Sequence, residues 1–312
     1  MNPHTLCLYC CTHLEDIHRV VRLAKSIAKY NSENIPLYIS APEKEISIFK
    51  AKVDEVLKGV IYLPETSIIA AIPNVSEKQI YGIRGGLRQQ IIKSNFWQLG
   101  LTQNYLCLDS DCIFLRPFFK RDFLVVDDIP YSVIHEGKTI LQPTQILSKR
   151  KHRDYFINDR NPIQKELKRP GVTYDFGYAP FIWSSKVWKS LEVNYLKPNK
   201  KSFLDIIVEH GSEFTWYGEA LLTYKAIEIF PREELFKHYH YQDQYLLEKI
   251  IGINDNIIQK DYLGKVIQSS WEKSMTHKSA RRPLPSILTL WLKTRFKSIT
   301  LKIKILKNMI TT

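Results

Sequence analysis

The sequence has no apolar stretch long enough to cross a bilayer, and no basic N-terminal segment leading into a long apolar core. Neither a membrane span nor a secretory leader is therefore expected. It has no internal repeat and no low-complexity tract, which excludes repeat arrays and biased linkers. Cysteine is sparse, and Cys7, Cys10, Cys11, Cys107 and Cys112 all lie in or beside apolar runs. A disulfide framework would place them in loops, so free thiols and a reducing compartment are expected. Cys7-x-x-Cys10 has no second ligand pair of matching spacing, so buried small hydrophobes are expected rather than zinc. Residues 279–312 contain no acid but hold eight Lys or Arg, set against a net charge of +13 for the chain. Much of the basicity is thus a terminal feature rather than a binding groove. The remainder is ordinary for a globular protein, with 44% hydrophobic and 25% charged residues, enough for one large or two modest domains.

The organisation follows from hydrophobic period. Residues 5–11 read as a buried strand, and 13–29 as a helix with Ile17, Val20, Val21, Leu23, Ala24 and Ile27 on one face. A strand at 36–40, a helix at 45–57 and a strand at 59–63 follow. This alternation predicts a mainly parallel sheet flanked by helices. Gly85 and Gly86 open a helix running to about Leu99. A strand is expected over 130–134, a surface helix or long loop over 149–169, and a strand over 178–184. Helices are expected over 185–191 and 213–227, followed by a mixed region with an amphipathic segment at 245–251 and a last strand at 266–270. One α/β domain is expected over residues 1–275, followed by an extension at 276–312.

The chemistry concentrates in Tyr105-Leu-Cys-Leu-Asp-Ser-Asp-Cys-Ile-Phe-Leu115, where an apolar run climbs to Asp109 and Asp111 and then turns apolar again. Two carboxylates at the end of a buried strand are costly unless a cation neutralises them. Mg²⁺ or Mn²⁺ does this with oxygen ligands, commonly one or two carboxylates and the phosphates of a nucleotide. The pattern points to a metal-bridged diphosphate. The helix before it carries Arg84, Arg88, Gln89, Gln90 and Lys93. Its cations either meet diphosphate charge, by Arg fork or Lys point charge, or form a solvated face.

Ser212 suits the N-cap of a helix starting at Glu213, with Trp216, Tyr217 and Ala220 on the same face. Aromatic rings beside an acid suit a sugar-acceptor site, with Glu213 as a general base. Equally, Glu213 complements the helix dipole and the rings join the core. Asp175, in Asp-Phe-Gly177, is a turn former or faces an acceptor hydroxyl. No Gly-rich loop or catalytic-loop motif supports a kinase. His238 and His240 read as a surface segment. His277 is either a surface residue or a metal ligand closing from the C-terminal side.

Taken in order, Gln89-Gln90-Ile-Ile-Lys93, Asp109-Ser-Asp111 and Ser212-Glu213-Phe-Thr-Trp-Tyr217-Gly218 resemble blocks of GT-A-fold glycosyltransferases, closest to a poorly characterised bacterial group. The resemblance covers roughly residues 5–270. It implies a GT-A-like fold and a nucleotide-diphosphate sugar donor, UDP-sugar favoured. It implies a glycan or glycolipid acceptor, and transfer of hexosyl type with retention or inversion open. It also implies Mn²⁺ or Mg²⁺ at Asp109 and Asp111, donor contacts from Gln89, Gln90 and Lys93, and an acid near the nucleotide soon after the first strand, here Asp16.

Beyond Pro283 and Pro285, Leu288, Leu292, Phe296, Ile299, Ile303, Leu306 and Ile310 recur at three- and four-residue spacing, with Lys293, Lys297, Lys304 and Lys307 largely opposite. An apolar stripe with a basic face suits a helix in an anionic membrane interface. Nucleic acid fits that stripe less well, and none is expected as a partner. A docked helix and a disordered tail are the other readings. The expectation is a cytoplasmic protein, peripheral to the inner face of the membrane. Two alternatives differ in class. A sugar-nucleotide-forming nucleotidyltransferase usually opens with a Gly-rich phosphate loop, which Thr12-His-Leu-Glu-Asp16 lacks. A non-catalytic basic membrane- or nucleic-acid-binding protein gives no reason for two aspartates on an apolar strand.

Overall fold

The computed structural model describes residues 3–125, 128–137, 160–240, 242–272, 292 and 295–303. Its centre is a five-stranded sheet in the order β3-β2-β1-β4-β7. The strands are β1 (His4–Cys11), β2 (Leu37–Ala41), β3 (Ile61–Pro64), β4 (Thr102–Leu108) and β7 (Phe181–Ser184). All neighbours run parallel except β4 and β7. From Leu6 to Cys11 no residue of β1 is more than 1% exposed. That is why the sequence there is a continuous apolar run, as in a strand covered on both faces. The mixed α/β class with a mainly parallel sheet flanked by helices is as the sequence predicts.

Helices α1 (Ile17–Tyr30) and α2 (Ile46–Val53) pack together beside the sheet. Val20, Leu23, Ala24 and Ile27 form the buried stripe of α1, with Ile17 and Val21 at its margin. A second group comprises α3 (Glu65–Ala70), α4 (Glu77–Tyr81) and α5 (Gly85–Asn95), with α6 at residues 160–166. It continues in α7 (Ser185–Leu191), α8 (Phe203–Glu209) and α9 (Glu213–Tyr224). Helix α5 passes into a 3-10 turn, Phe96–Leu99, and Gly100 ends it with φ 65°, a left-handed conformation that suits glycine.

The long apolar run around the two aspartates is not one strand. The chain leaves the main sheet after Leu108, and Cys112 N–H closes a turn onto Asp109 O at 3.1 Å. It then enters β5 (Cys112–Phe114) of a separate sheet, ordered β5-β10-β9, with β9 (Phe236–Tyr239) and β10 (Gly264–Ile267). Asp109, Ser110 and Asp111 therefore occupy the turn that joins two sheets. A two-stranded ladder of β6 (Ser132–Val133) and β8 (Pro231–Arg232) completes the strands among the described residues. Helices α10 (Gln242–Ile250), α11 (Asp255–Asp261) and α12 (Ser269–Glu272) follow. All five cysteines are free and buried, as expected. Burial pushes the Cys11 thiol up to about 12, so it stays protonated and unreactive at neutral pH.

His238 and His240 correct the sequence reading. Each is only 7% exposed, packed against the Tyr178 ring although β9 is the edge strand of its sheet. His238 Nε2 is 2.6 Å from the Ala179 carbonyl, and the two imidazoles stack at 5.3 Å. Burial holds both in the neutral form, with pKa below the ordinary histidine value. In the C-terminal extension, residues 295–303 are helical. Lys297 pairs with Asp243 of α10 at 2.9 Å, so this part of the basic face has an acidic partner that the local sequence does not reveal.

Gly218 on α9 meets the ring of Phe176: a Cβ there would lie 2.1 Å from Phe176 Cγ and Cδ1. Gly218→Ala should destabilise the protein by about 1–3 kcal/mol, the usual cost of overpacking. A chemical-denaturation midpoint equal to wild type would contradict this contact.

Candidate active site at the switch point of the sheet

Strand order 3-2-1-4 reverses direction between β1 and β4, and open α/β sheets bind ligands outside the carboxyl ends of strands at such a reversal. The sequence puts an acid at each of these two ends. Asp16 follows β1 in a 3-10 turn, Leu14–Asp16, and Asp109 and Asp111 follow β4. Ser110 Oγ lies 3.3 Å from Asp16 Oδ2 and ties the two strand ends together.

Lys93, at the end of α5, reaches into this corner and is 4% exposed. Its ammonium is hydrogen-bonded to Asp109 Oδ1 and lies 3.8 Å from Glu213 Oε1. Burial alone would lower its pKa, but the Asp109 and Glu213 carboxylates more than offset that and raise it well above the ordinary lysine value. The lysine is therefore a permanent cation. Glu213, at the N-terminus of α9, is 4% exposed. Ser212 does hold the N-cap position, but its hydroxyl bonds Thr215 Oγ1 at 2.6 Å rather than a helix amide. Gln89 Nε2 donates to the Cys11 carbonyl at 2.8 Å, fixing α5 against the end of β1.

Asp111 is 6% exposed. Its Oδ2 accepts the Ser269 amide at 2.9 Å, whereas its Oδ1 is buried without a hydrogen-bond partner among the described residues. Burial, and then the charge of Asp109, push its carboxyl up to about 7. An orphaned, buried carboxylate oxygen next to a partly exposed carboxylate is the donor set a hard divalent cation uses. Among the described residues no group of three or more His, Cys, Asp or Glu could hold a metal. A cation here would take Asp109 and Asp111 and complete its shell with phosphate oxygens and water, as Mg²⁺ commonly does. His277 lies outside the described residues.

Not every candidate comes to this corner. Arg84 is exposed at the N-cap of α5. Arg88 lies over the Tyr81 ring at 5.4 Å, and its charge acts on Glu65. Gln90 Oε1 is buried without a partner, and a Cβ on Gly211 would lie 3.4 Å from it. Trp216 and Tyr217 are corrected from acceptor contacts to core residues. Trp216 is fully buried with its indole N–H on the His210 carbonyl at 3.0 Å, and the Tyr217 hydroxyl accepts the Ser184 amide at 2.8 Å. Asp175 is corrected likewise: it is 0% exposed and pairs with Arg160 at 2.8 Å, leaving it no acceptor to meet. Sequence reasoning also missed Arg19 and Glu272. Arg19 carried a signal in its i,i+3 spacing from Asp16. Glu272 carried none, being 253 residues from its partner.

The chain belongs to DUF6492, a family of unknown function whose model matches residues 5–309. No curated protein matches the sequence. Among solved structures, the apo form of mouse xyloside xylosyltransferase 1 is similar with a TM-score of 0.47 at 10% identity, over 85% of this chain and 98% of that one.

The state of Asp111 has a consequence for stability. In the folded protein its carboxyl keeps a proton that the unfolded chain releases near 3.8. Folding is therefore progressively penalised as pH rises from 3.8 to about 7, and the penalty is constant above that. Asn keeps an acceptor for the Ser269 amide and cannot ionise. Asp111→Asn should raise the melting temperature of the metal-free protein at pH 8, with the gain vanishing toward pH 4. A variant no more stable than wild type at pH 8 would contradict the assignment.

Proposed function

We propose that this chain is a metal-dependent glycosyltransferase, moving a sugar from a nucleotide-diphosphate donor to a glycan acceptor. The observation that carries the reading is the meeting of Asp109, Asp111, Lys93 and Glu213 at the sheet's switch point. Each has a task in such a transfer. The acceptor oxygen bonds to the anomeric carbon, the carbon–oxygen bond to the diphosphate breaks, and the acceptor proton must go to a base. A divalent cation held by Asp109 and Asp111 would neutralise the charge of the departing nucleoside diphosphate. Lys93, fixed as a cation, supplies positive charge beside the diphosphate, and Asp16 and Gln89 hold the end of β1 that faces it. Glu213 takes the acceptor proton if configuration inverts, and serves only binding if it is retained.

A nucleotidyltransferase is the weaker reading. The turn from β1 to α1 is a 3-10 turn without glycine, not a phosphate-cradling loop. A non-catalytic basic protein gives no reason to bury a lysine between two carboxylates.

For location, no helix among the described residues is long and apolar enough to cross a membrane. Phe296, Ile299 and Ile303 are 68%, 53% and 48% exposed on one helix. A row of exposed apolar side chains among lysines suits the interface of an anionic bilayer, where each nearby basic residue contributes about 1 kcal/mol. That favours a lipid-linked acceptor and a place on the inner leaflet.

Calorimetry with Mn²⁺ and a panel of nucleoside diphosphates, UDP first, tests the donor site. Wild type should bind at least one, and Asp111→Asn should bind none. Glu213→Gln should keep donor binding and lose turnover by a factor of about 10² or more if it is the base. Unchanged turnover removes Glu213 from the mechanism. Truncation after Lys278 should leave a folded core that no longer sediments with phosphatidylserine vesicles. Equal sedimentation of truncated and full-length protein excludes the membrane role of the extension.

A further inference from the structure

Residues 268–272 fold back over the acidic turn. The Ser269 amide donates to Asp111 Oδ2 at 2.9 Å, and the Trp271 indole N–H anchors the segment on the Tyr239 carbonyl at 2.9 Å. Glu272, one residue further, is 4% exposed and receives two guanidinium groups, Arg19 Nε at 2.8 Å and Arg22 Nη1 at 2.6 Å. Arg19 is itself 1% exposed and continues to Asp16 Oδ1. The other oxygen of Asp16 meets the hydroxyl of Ser110, the residue between the two aspartates. Charge alternates without a break along Asp16, Arg19, Glu272 and Arg22.

Such a series fixes geometry more than it adds stability. A buried guanidinium cannot shed its charge, and its planar fork accepts carboxylates only in its own plane. With Glu272 in place, Arg19 is held from both sides and Asp16 has a single position. Without it, Arg19 is free to move toward Asp16 and the Ser110 contact. Glu272 reaches the acidic turn through Arg19, Asp16 and Ser110. We infer that Glu272 is a positioning residue of the donor site. It sets Asp16 through Arg19, and Asp16 in turn holds Ser110 between the two aspartates, so that the 268–272 turn clasps the nucleotide-binding acids through this one carboxylate. The inference rests on the donor-site reading above.

The test is UDP binding with Mn²⁺, by calorimetry, for wild type, Glu272→Gln, Asp16→Asn and the double variant, with amide exchange at Ser269 in the ligand-free protein. Glu272→Gln should weaken UDP roughly tenfold or more, the usual effect of losing an outer partner of a ligating group. It should add little in the Asp16→Asn background, because both changes act through the same carboxylate. Exchange at the Ser269 amide should quicken. Wild-type affinity in Glu272→Gln, or losses that multiply in the double variant, would overturn the inference. Should Glu272→Gln fail to fold, Arg19→Lys keeps the charge and loses the fork. Weakened UDP binding there supports the clasp, and unchanged binding overturns it. If wild type binds UDP and Asp111→Asn does not, while Glu272→Gln binds like wild type, only the clasp fails. If wild type binds no nucleoside diphosphate, the donor site itself fails and takes the clasp with it.

Discussion

One ammonium group makes the corner between β1 and β4 possible. Lys93 is almost fully buried, yet two carboxylates from distant parts of the chain, Asp109 and Glu213, converge on it. Burying Lys93 or Glu213 alone would cost several kcal/mol, whereas Asp109 is partly open to solvent. The three elements that carry them are therefore locked in register at this point. Helix α5 supplies the cation, the end of β4 supplies one acid, and the first turn of α9 supplies the other. Gln89, one turn earlier on α5, ties the same helix to the end of β1.

The acids on the other side of the turn are balanced differently. Among the described residues no cation pairs with Asp111, and burial with the nearby Asp109 charge drives it toward the neutral form. Asp16 is balanced by Arg19, and Arg19 by Glu272. The corner thus has three carboxylates with a cation in contact, Asp109, Glu213 and Asp16, and Asp111 stands apart from them. That imbalance is what the proposed divalent cation would relieve, and it is the source of the stability cost expected for the ligand-free protein at neutral pH. A site that destabilises its own fold is a common mark of function.

Much of this was legible in sequence because its signals are local. The buried strand β1, the striped helix α1 and the two aspartates flanked by apolar residues are each visible within about a dozen positions. The entry into a second sheet at Cys112 was not, since the apolar residues after Asp111 look like those before Asp109. Trp216 and Tyr217 illustrate an inherent ambiguity: aromatic residues beside an acid at helical spacing describe a sugar platform and a packed core equally well, and here packing won. His238 and His240 read as surface residues from the local sequence, but contacts across the fold bury both. Glu272 and the Lys297–Asp243 pair depend on contacts across the fold, which no local pattern encodes.

Whether Asp109 and Asp111 hold a divalent cation that bridges them to a nucleoside diphosphate is read most directly from the anomalous signal of manganese in crystals grown with Mn²⁺ and UDP. One strong peak is expected at coordination distance, about 2.0–2.4 Å, from Asp111 Oδ1, with the UDP phosphates on its far side. UDP bound at the switch point with no manganese at Asp111, or manganese bound away from both aspartates, would contradict it.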